Sequence, residues 1–172
     1  GRIIALRRTR FGIKWMEKVA RKRRETLKIL GYCGIGIGFA GMIAIFVYVI
    51  NEFVKLFTTP DAPAAFSLVL PGVNIPGAPI YIPLWVIVTL FIVVVIHEAA
   101  HGLISKAHKI PIVSTGIVFF GPLVGAFVEP DEKKMKKSSD VVNYSITAAG
   151  PFANILTGLV VLLLFFVAIN PI

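Results

Sequence analysis

The sequence predicts a mainly α-helical membrane protein with three transmembrane helices, a Pro/Gly-rich outer loop and a small β-hairpin. The chain of 172 residues is 56% hydrophobic, its mean hydropathy is +0.84, and its apolar residues form three runs long enough to cross a bilayer. Six prolines crowd positions 60 to 83, a density that no helix tolerates. We therefore expect spans at about 29–50, 83–105 and 141–169, all within a membrane-embedded core at 29–169.

Residues 1–28 form a basic arm in front of the first apolar run. This arm carries 11 of the 18 Lys and Arg residues, and the run from 29 to 50 has no charge. Such a segment is typical of a cytoplasmic juxtamembrane arm attracted to anionic lipid. We expect no nucleic-acid binding, because few aromatic side chains alternate with the charges. Apolar residues recur at helical spacing and predict an amphipathic helix along the membrane surface: Ile13, Met16, Ala20 and Leu27.

The remaining basic residues indicate the orientation of the chain in the membrane. Six fall between residues 106 and 142, and Lys55 lies between the first two spans. With the arm inside, the first span leads out, the second returns, and the 106–142 segment is again cytoplasmic. This arrangement satisfies the positive-inside rule for all basic residues except Lys55. We expect an integral membrane protein with a cytoplasmic N-terminus, and a 58–82 segment that is either an outer surface loop or re-entrant.

The second span contains His97-Glu-Ala-Ala-His101. Two histidines at i and i+4 lie on one helical face, so both imidazoles can reach a single ion, and Glu98 can take a proton from water beside it. The alternative is a pair of buried structural histidines with an ion-paired glutamate, but burying three ionisable groups in an apolar helix is costly. We predict that His97 and His101 bind Zn²⁺ and that Glu98 is the catalytic base, on the cytoplasmic side of the bilayer.

Two β-prone runs at 110–120 and 123–128 are separated by Gly121-Pro122. They predict a hairpin at about 110–129. Such a hairpin has two possible roles, which the sequence leaves open. A sheltered edge could receive an unwound substrate segment as an added strand, or the hairpin could only fill space between helices.

The third span contains Pro151 and Asn154. Pro151 has no N–H and frees the carbonyl of Thr147, which loosens the helix near its cytoplasmic third. An asparagine in an apolar helix needs hydrogen-bond partners. Asn154 could hold a neighbouring helix, or it could bond to substrate near the metal.

Four motifs together resemble a known family. In order they are Pro71-Gly-Val-Asn-Ile-Pro76, His97-Glu-Ala-Ala-His-Gly102, Gly125-Ala-Phe-Val128 and Gly150-Pro-Phe-Ala-Asn154. They resemble the site-2 protease family of intramembrane zinc metalloproteases, especially its archaeal and eukaryotic branch. The resemblance implies a Zn²⁺-dependent endopeptidase that cleaves transmembrane helices of protein substrates in regulated proteolysis. It also implies zinc ligation by His97 and His101, water activation by Glu98, and a place near the active site for Asn154.

One part of the family pattern is missing. The family's third zinc ligand is an aspartate before glycine in a later transmembrane segment, and no Asp-Gly pair occurs in this chain. His108, Glu129 and Asp131 are poor substitutes by spacing. We therefore expect an N-terminal portion whose metal site is incomplete and which could be inactive alone. Two alternatives remain: a prenyl-protein-type membrane metalloprotease with a glutamate as third ligand, and a non-catalytic membrane scaffold.

Overall fold

The computed structural model describes residues 4–58, 83–120 and 123–169. The chain divides into two compact units, residues 1–38 with 91–172, and residues 39–90. The predicted Pro/Gly-rich outer loop lies outside the described residues. In chain order the elements are β1 (Ile4–Thr9), α1 (Ile13–Lys22), α2 (Arg24–Thr58), α3 (Val86–Ala107), β2 (Ile112–Phe120), β3 (Leu123–Pro130), α4 (Glu132–Met135) and α5 (Asp140–Ile169).

Three of these helices, α2, α3 and α5, are long and apolar enough to cross a membrane. This confirms the prediction of a mainly helical protein with three candidate membrane spans. Helix α2 is longer than the predicted 29–50 segment because polar residues near its end do not break a helix. It ends at Thr58, just before the first proline, where the helical conformation becomes unfavourable.

The 39–90 unit contains the second half of α2 and the first turns of α3. Near the end of α2, Glu52 and Lys55 form an i,i+3 ion pair at 2.7 Å. Phe53 and Phe57 stack edge to face with ring centroids 5.1 Å apart. These contacts are local to one helix, and the apolar side chains around them are exposed, as lipid contact requires.

The predicted hairpin is present as β2 and β3, but it belongs to a three-stranded antiparallel sheet of order β1-β2-β3. The strand at residues 4–9 of the basic arm, which pairs with β2, was not predicted from the sequence. Gly116 makes this pairing possible, because a Cβ there would collide with the carbonyl oxygen of Arg7 and the ring of Phe127. A strand that gains its hydrogen bonds from a partner over 100 residues away leaves little local signal.

The amphipathic helix predicted in the arm is present as α1, but its apolar side is buried in protein. Met16 and Ala20 are each only 3% exposed. A Cβ added to Gly102 of α3 would collide with the Met16 sulfur, so the two helices touch closely there. The sequence predicted that the apolar stripe of α1 lies along the membrane surface. Within this unit the stripe packs on α3 instead.

Helices α3 and α5 are joined by a small core of Ile104, Ile110, Ile146 and Ala149. Helix α2 approaches the same core through glycine, since a Cβ on Gly31 would lie 3.1 Å from the Cβ of Ser145. Close packing of this kind tolerates little change in side-chain volume. The core therefore sets the position of α5 relative to the histidines of α3.

Candidate active site

His97, Glu98 and His101 bring their ligand atoms together on α3. One donor atom from each residue lies within 4.8 Å of the others, and the imidazole centroids are 4.8 Å apart with the rings inclined at 74°. Among the residues that the structure describes, no other group of three or more His, Cys, Asp or Glu side chains is placed to hold a metal ion. The i,i+4 spacing accounts for the geometry, because it places both rings one turn apart on one face.

The His101 ring is oriented by the backbone of α5. Its Nδ1 lies 2.6 Å from the carbonyl oxygen of Ile146. Because a carbonyl only accepts hydrogen bonds, Nδ1 must carry the proton, which leaves the lone pair on Nε2. A metal-binding histidine is typically held in this way. From Pro151, the sequence predicted a free backbone carbonyl at Thr147. The carbonyl that His101 contacts belongs to the preceding residue, Ile146.

The His97 ring is oriented by Asn154, whose Nδ2 lies 3.0 Å from His97 Nδ1. The Oδ1 atom of Asn154 is buried and has no hydrogen-bond partner among the described residues. If His97 ligates through Nε2, its Nδ1 carries the proton and needs an acceptor. A 180° turn of the Asn154 amide places Oδ1 on that proton and removes the unpaired oxygen. Asn154 thus contacts a predicted metal ligand directly.

Gly150 leaves open the space on which both imidazoles converge. A Cβ at this position of α5 would meet the Nε2 atoms of both His97 and His101. Zinc binds imidazole nitrogen at about 2.0–2.1 Å, so two nitrogens that face one small space fit two of its ligands. The motif in the sequence contained Gly150, but only the packing of α5 on α3 reveals why glycine stands there.

Glu98 is held by the sheet. Its Oε2 accepts a hydrogen bond of 2.9 Å from the backbone N–H of Val128 in β3. That N–H therefore points away from β2, so the outer edge of β3 faces α3 at this residue. The Val128 side chain also adjoins the helix, because a Cβ on Gly102 would lie 3.2 Å from its Cγ1. No feature of the sequence predicted this backbone donor.

A cavity of about 600 Å³ opens beside Glu98. This volume is in the range of sites that bind small molecules or peptide segments. Residues of β1, α1, α3, β2 and β3 contribute to its lining, and most of them are apolar. They include Trp15, Met16, Phe91, Val95, Phe127 and Val128.

The three residues considered as substitute ligands do not belong to the candidate metal-binding group. His108 Nε2 is 3.1 Å from Ser145 Oγ, and burial, with the nearby charges of Lys28 and Arg24, lowers the pKa of this imidazole. Glu129 accepts a hydrogen bond from Ser114 and faces Arg8. Asp131 caps α4 by accepting from Lys134 N–H at 3.1 Å. None of the three joins the histidines.

An H-E-x-x-H cluster with oriented imidazoles, on a helix able to span a bilayer, is the arrangement expected of a membrane metalloprotease. The comparison with known families agrees. The model of Peptidase family M50 matches residues 85–170, which is half of the chain. The chain belongs to peptidase family M50, the site-2 protease family, whose members are zinc metallopeptidases.

A curated relative extends the similarity beyond the family match. Over 159 residues the chain is 30% identical to "Uncharacterized protein MJ0971" of Methanocaldococcus jannaschii. The aligned part covers 91% of this chain and 41% of the relative, so the chain spans about two fifths of the length of this relative. No solved structure matches the chain significantly.

Proposed function

We propose that the protein is a zinc-dependent intramembrane endopeptidase that cleaves transmembrane helices of membrane-bound protein substrates. The observation that carries this proposal is the convergence of His97 and His101 on the space beside Gly150. Glu98 stands within the same cluster. All three side chains belong to a helix long and apolar enough to span a membrane.

His97 and His101 would hold the zinc ion through Nε2. A bound zinc ion polarises a carbonyl and lowers the pKa of water toward neutrality. Catalytic zinc usually has three protein ligands. The described residues supply two histidines, and Glu98 is assigned to proton transfer, so we propose that a third ligand comes from outside the described residues.

Glu98 would act as the general base and then as the general acid. Val128 N–H occupies Oε2, which leaves Oε1 to take the proton of the attacking water and deliver it to the leaving amine. Because the carboxylate is held by a backbone group of β3, its position depends on the sheet as well as on α3.

The substrate has to unwind before it can be cut, since a helix hides its carbonyls in internal hydrogen bonds. The outer edge of β3 offers a place for the extended segment. Residues 124 and 126 share this edge with Val128 by alternation, and their backbone groups could pair with an added strand. The apolar cavity beside Glu98 would then receive substrate side chains.

The distribution of basic residues supports a cytoplasmic N-terminus and an active site near the cytoplasmic side. His101 lies six residues before the end of α3, about 9 Å along the helix axis. Water could reach the site from that side through a short path.

The test compares wild-type protein with Glu98→Gln and His97→Ala, in the longest form that the reading frame encodes. Reconstituted wild type should contain stoichiometric zinc and cleave a transmembrane-helix substrate. Glu98→Gln should keep the zinc and lose cleavage by a factor of about 10²–10⁴, whereas His97→Ala should lose both. Glu25→Gln, at an exposed position of α2, is the control and should change neither.

Three outcomes would contradict the proposal. Cleavage by Glu98→Gln at the wild-type rate would remove this residue from the mechanism. Wild type without zinc or cleavage would favour a non-catalytic membrane scaffold. A glutamate as the third zinc ligand would favour a prenyl-protein-type membrane metalloprotease.

A further inference from the structure

A cationic groove lies between α1 and the C-terminal end of α3, away from the histidines. Its volume is about 510 Å³. Four of its lining residues are basic and one is acidic. The lining is formed by Glu17, Ala20, Arg21, Arg24, Lys106, Lys109, Ile110 and Pro111.

The charges inside this groove are poorly balanced. Lys106 has a side chain only 15% exposed, and its Nζ is 3.8 Å from a carboxylate oxygen of Glu17, which is itself 64% exposed. Among the described residues, Lys106 forms no ion pair other than this long contact. With four cations around one carboxylate, the groove has an excess of positive charge that favours an anion.

Arg24 is fixed in an orientation that suits an anion. Its Nε donates to the carbonyl oxygen of Ala107 at 2.9 Å, which satisfies an orphan carbonyl at the end of α3. Its two Nη groups make no hydrogen bond to the described residues. A guanidinium held at Nε with both terminal groups available is a suitable donor pair for phosphate oxygens.

Lys109 occupies a position that usually belongs to glycine. Its φ is +64°, and Ile110 N–H reaches back to the carbonyl of Ser105 at 2.9 Å, so α3 ends in a Schellman-type turn. A side chain is strained in this left-handed conformation. A cation therefore stands in the groove where glycine would be the more stable residue.

We propose that this groove binds the phosphate of an anionic phospholipid headgroup. It lies at the end of a candidate span, since α3 ends at Ala107 and the groove includes Lys106 and Lys109. Phospholipid phosphates occupy the same level, where an apolar helix leaves the hydrocarbon layer. Soluble phosphate shares the chemistry, but it has no reason to concentrate at this depth.

The test measures lipid retention by the purified chain with native mass spectrometry. The probes are short-chain phosphatidylglycerol, short-chain phosphatidylcholine and inorganic phosphate. Arg21→Gln/Lys109→Gly removes two groove cations, and the glycine also relieves the strained turn, so loss of the fold is not expected. Lys14→Gln/Lys22→Gln removes the same charge from exposed positions of α1 outside the groove.

Wild type should retain phosphatidylglycerol over phosphatidylcholine, and the groove variant should bind it about tenfold or more weakly. The control variant should bind it within about twofold of wild type. Equal losses in both variants would indicate diffuse attraction and overturn the proposal. Equal retention of the two lipids, or displacement of phosphatidylglycerol by an equal concentration of inorganic phosphate, would also overturn it. Glu98→Gln should bind lipid like wild type, so this result does not depend on proteolysis.

Discussion

The two halves of the candidate site are supported in different ways. The histidine half lies between α3 and α5, where Ile146 and Asn154 orient the two rings and Gly150 leaves the space between them. The glutamate half lies between α3 and the sheet, where the N–H of Val128 holds Glu98. Helix α3 therefore presents its two histidines to α5 and its glutamate to β3.

This difference implies that metal binding and proton transfer can be disturbed separately. Changes on α5 should act on the metal first and on cleavage as a consequence. Changes on β3 should act on cleavage while the metal stays bound. The following experiments test this division and assume the proposed function. They use the longest form of the protein that the reading frame encodes.

Gly150→Ala should have the largest effect. The new methyl group would occupy the space on which both Nε2 atoms converge, so zinc affinity should fall by about 100-fold or more and cleavage with it. Zinc titration and a cleavage assay check this. Gly158→Ala on the same helix is the matched control, because a Cβ there meets nothing within 4 Å. Equal zinc binding in both variants would contradict the assignment of Gly150.

Asn154→Ala should have the next largest effect. Loss of its contact with His97 leaves the ring free to rotate, and zinc affinity should fall by about 10- to 100-fold. Thr157→Ala is the control, since the Thr157 hydroxyl bonds only to the carbonyl of Ala153 on its own helix at 2.8 Å. If Asn154→Ala bound zinc like this control, Asn154 would be a packing residue and no partner of the metal ligand.

Val128→Pro tests the glutamate half. Proline removes the N–H that holds Glu98, so kcat should fall by about tenfold or more, whereas zinc content should stay that of wild type. Val124→Pro is the control, because residue 124 shares the same strand edge by alternation but makes no contact with Glu98. Zinc loss in Val128→Pro would show that the sheet also supports the metal, and the division between the halves would fail.

His108→Gln should have the smallest effect, because His108 lies in neither half. Burial lowers its pKa, so the folded protein keeps this group neutral at pH values where the unfolded chain binds a proton. Stability should therefore fall as pH drops below about 6.5. Thermal unfolding between pH 7 and 5 should show a weaker pH dependence in His108→Gln, by about 1–2 °C, with unchanged zinc binding. An identical pH dependence in both proteins would contradict this role.

Much of the fold could be predicted because its signals are local. Unbroken apolar runs indicated three spans, and the β-prone runs on either side of Gly121-Pro122 indicated the hairpin. The arm was harder to interpret. Residues 4–9 carry basic residues next to apolar ones, a pattern that suits an arm at a membrane surface as well as an edge strand, and their partner strand lies over 100 residues away.

The candidate site divides in the same manner. The sequence by itself determined His97, Glu98 and His101, because one helical turn brings them together whatever surrounds the helix. It also singled out Asn154 as a polar residue in an apolar run. Only the tertiary structure decided the partners that orient them: the carbonyl of Ile146, the N–H of Val128 and the missing side chain of Gly150. Backbone groups occur at nearly every residue, and a glycine has many uses, so only the packing of distant segments selects the one that faces the site.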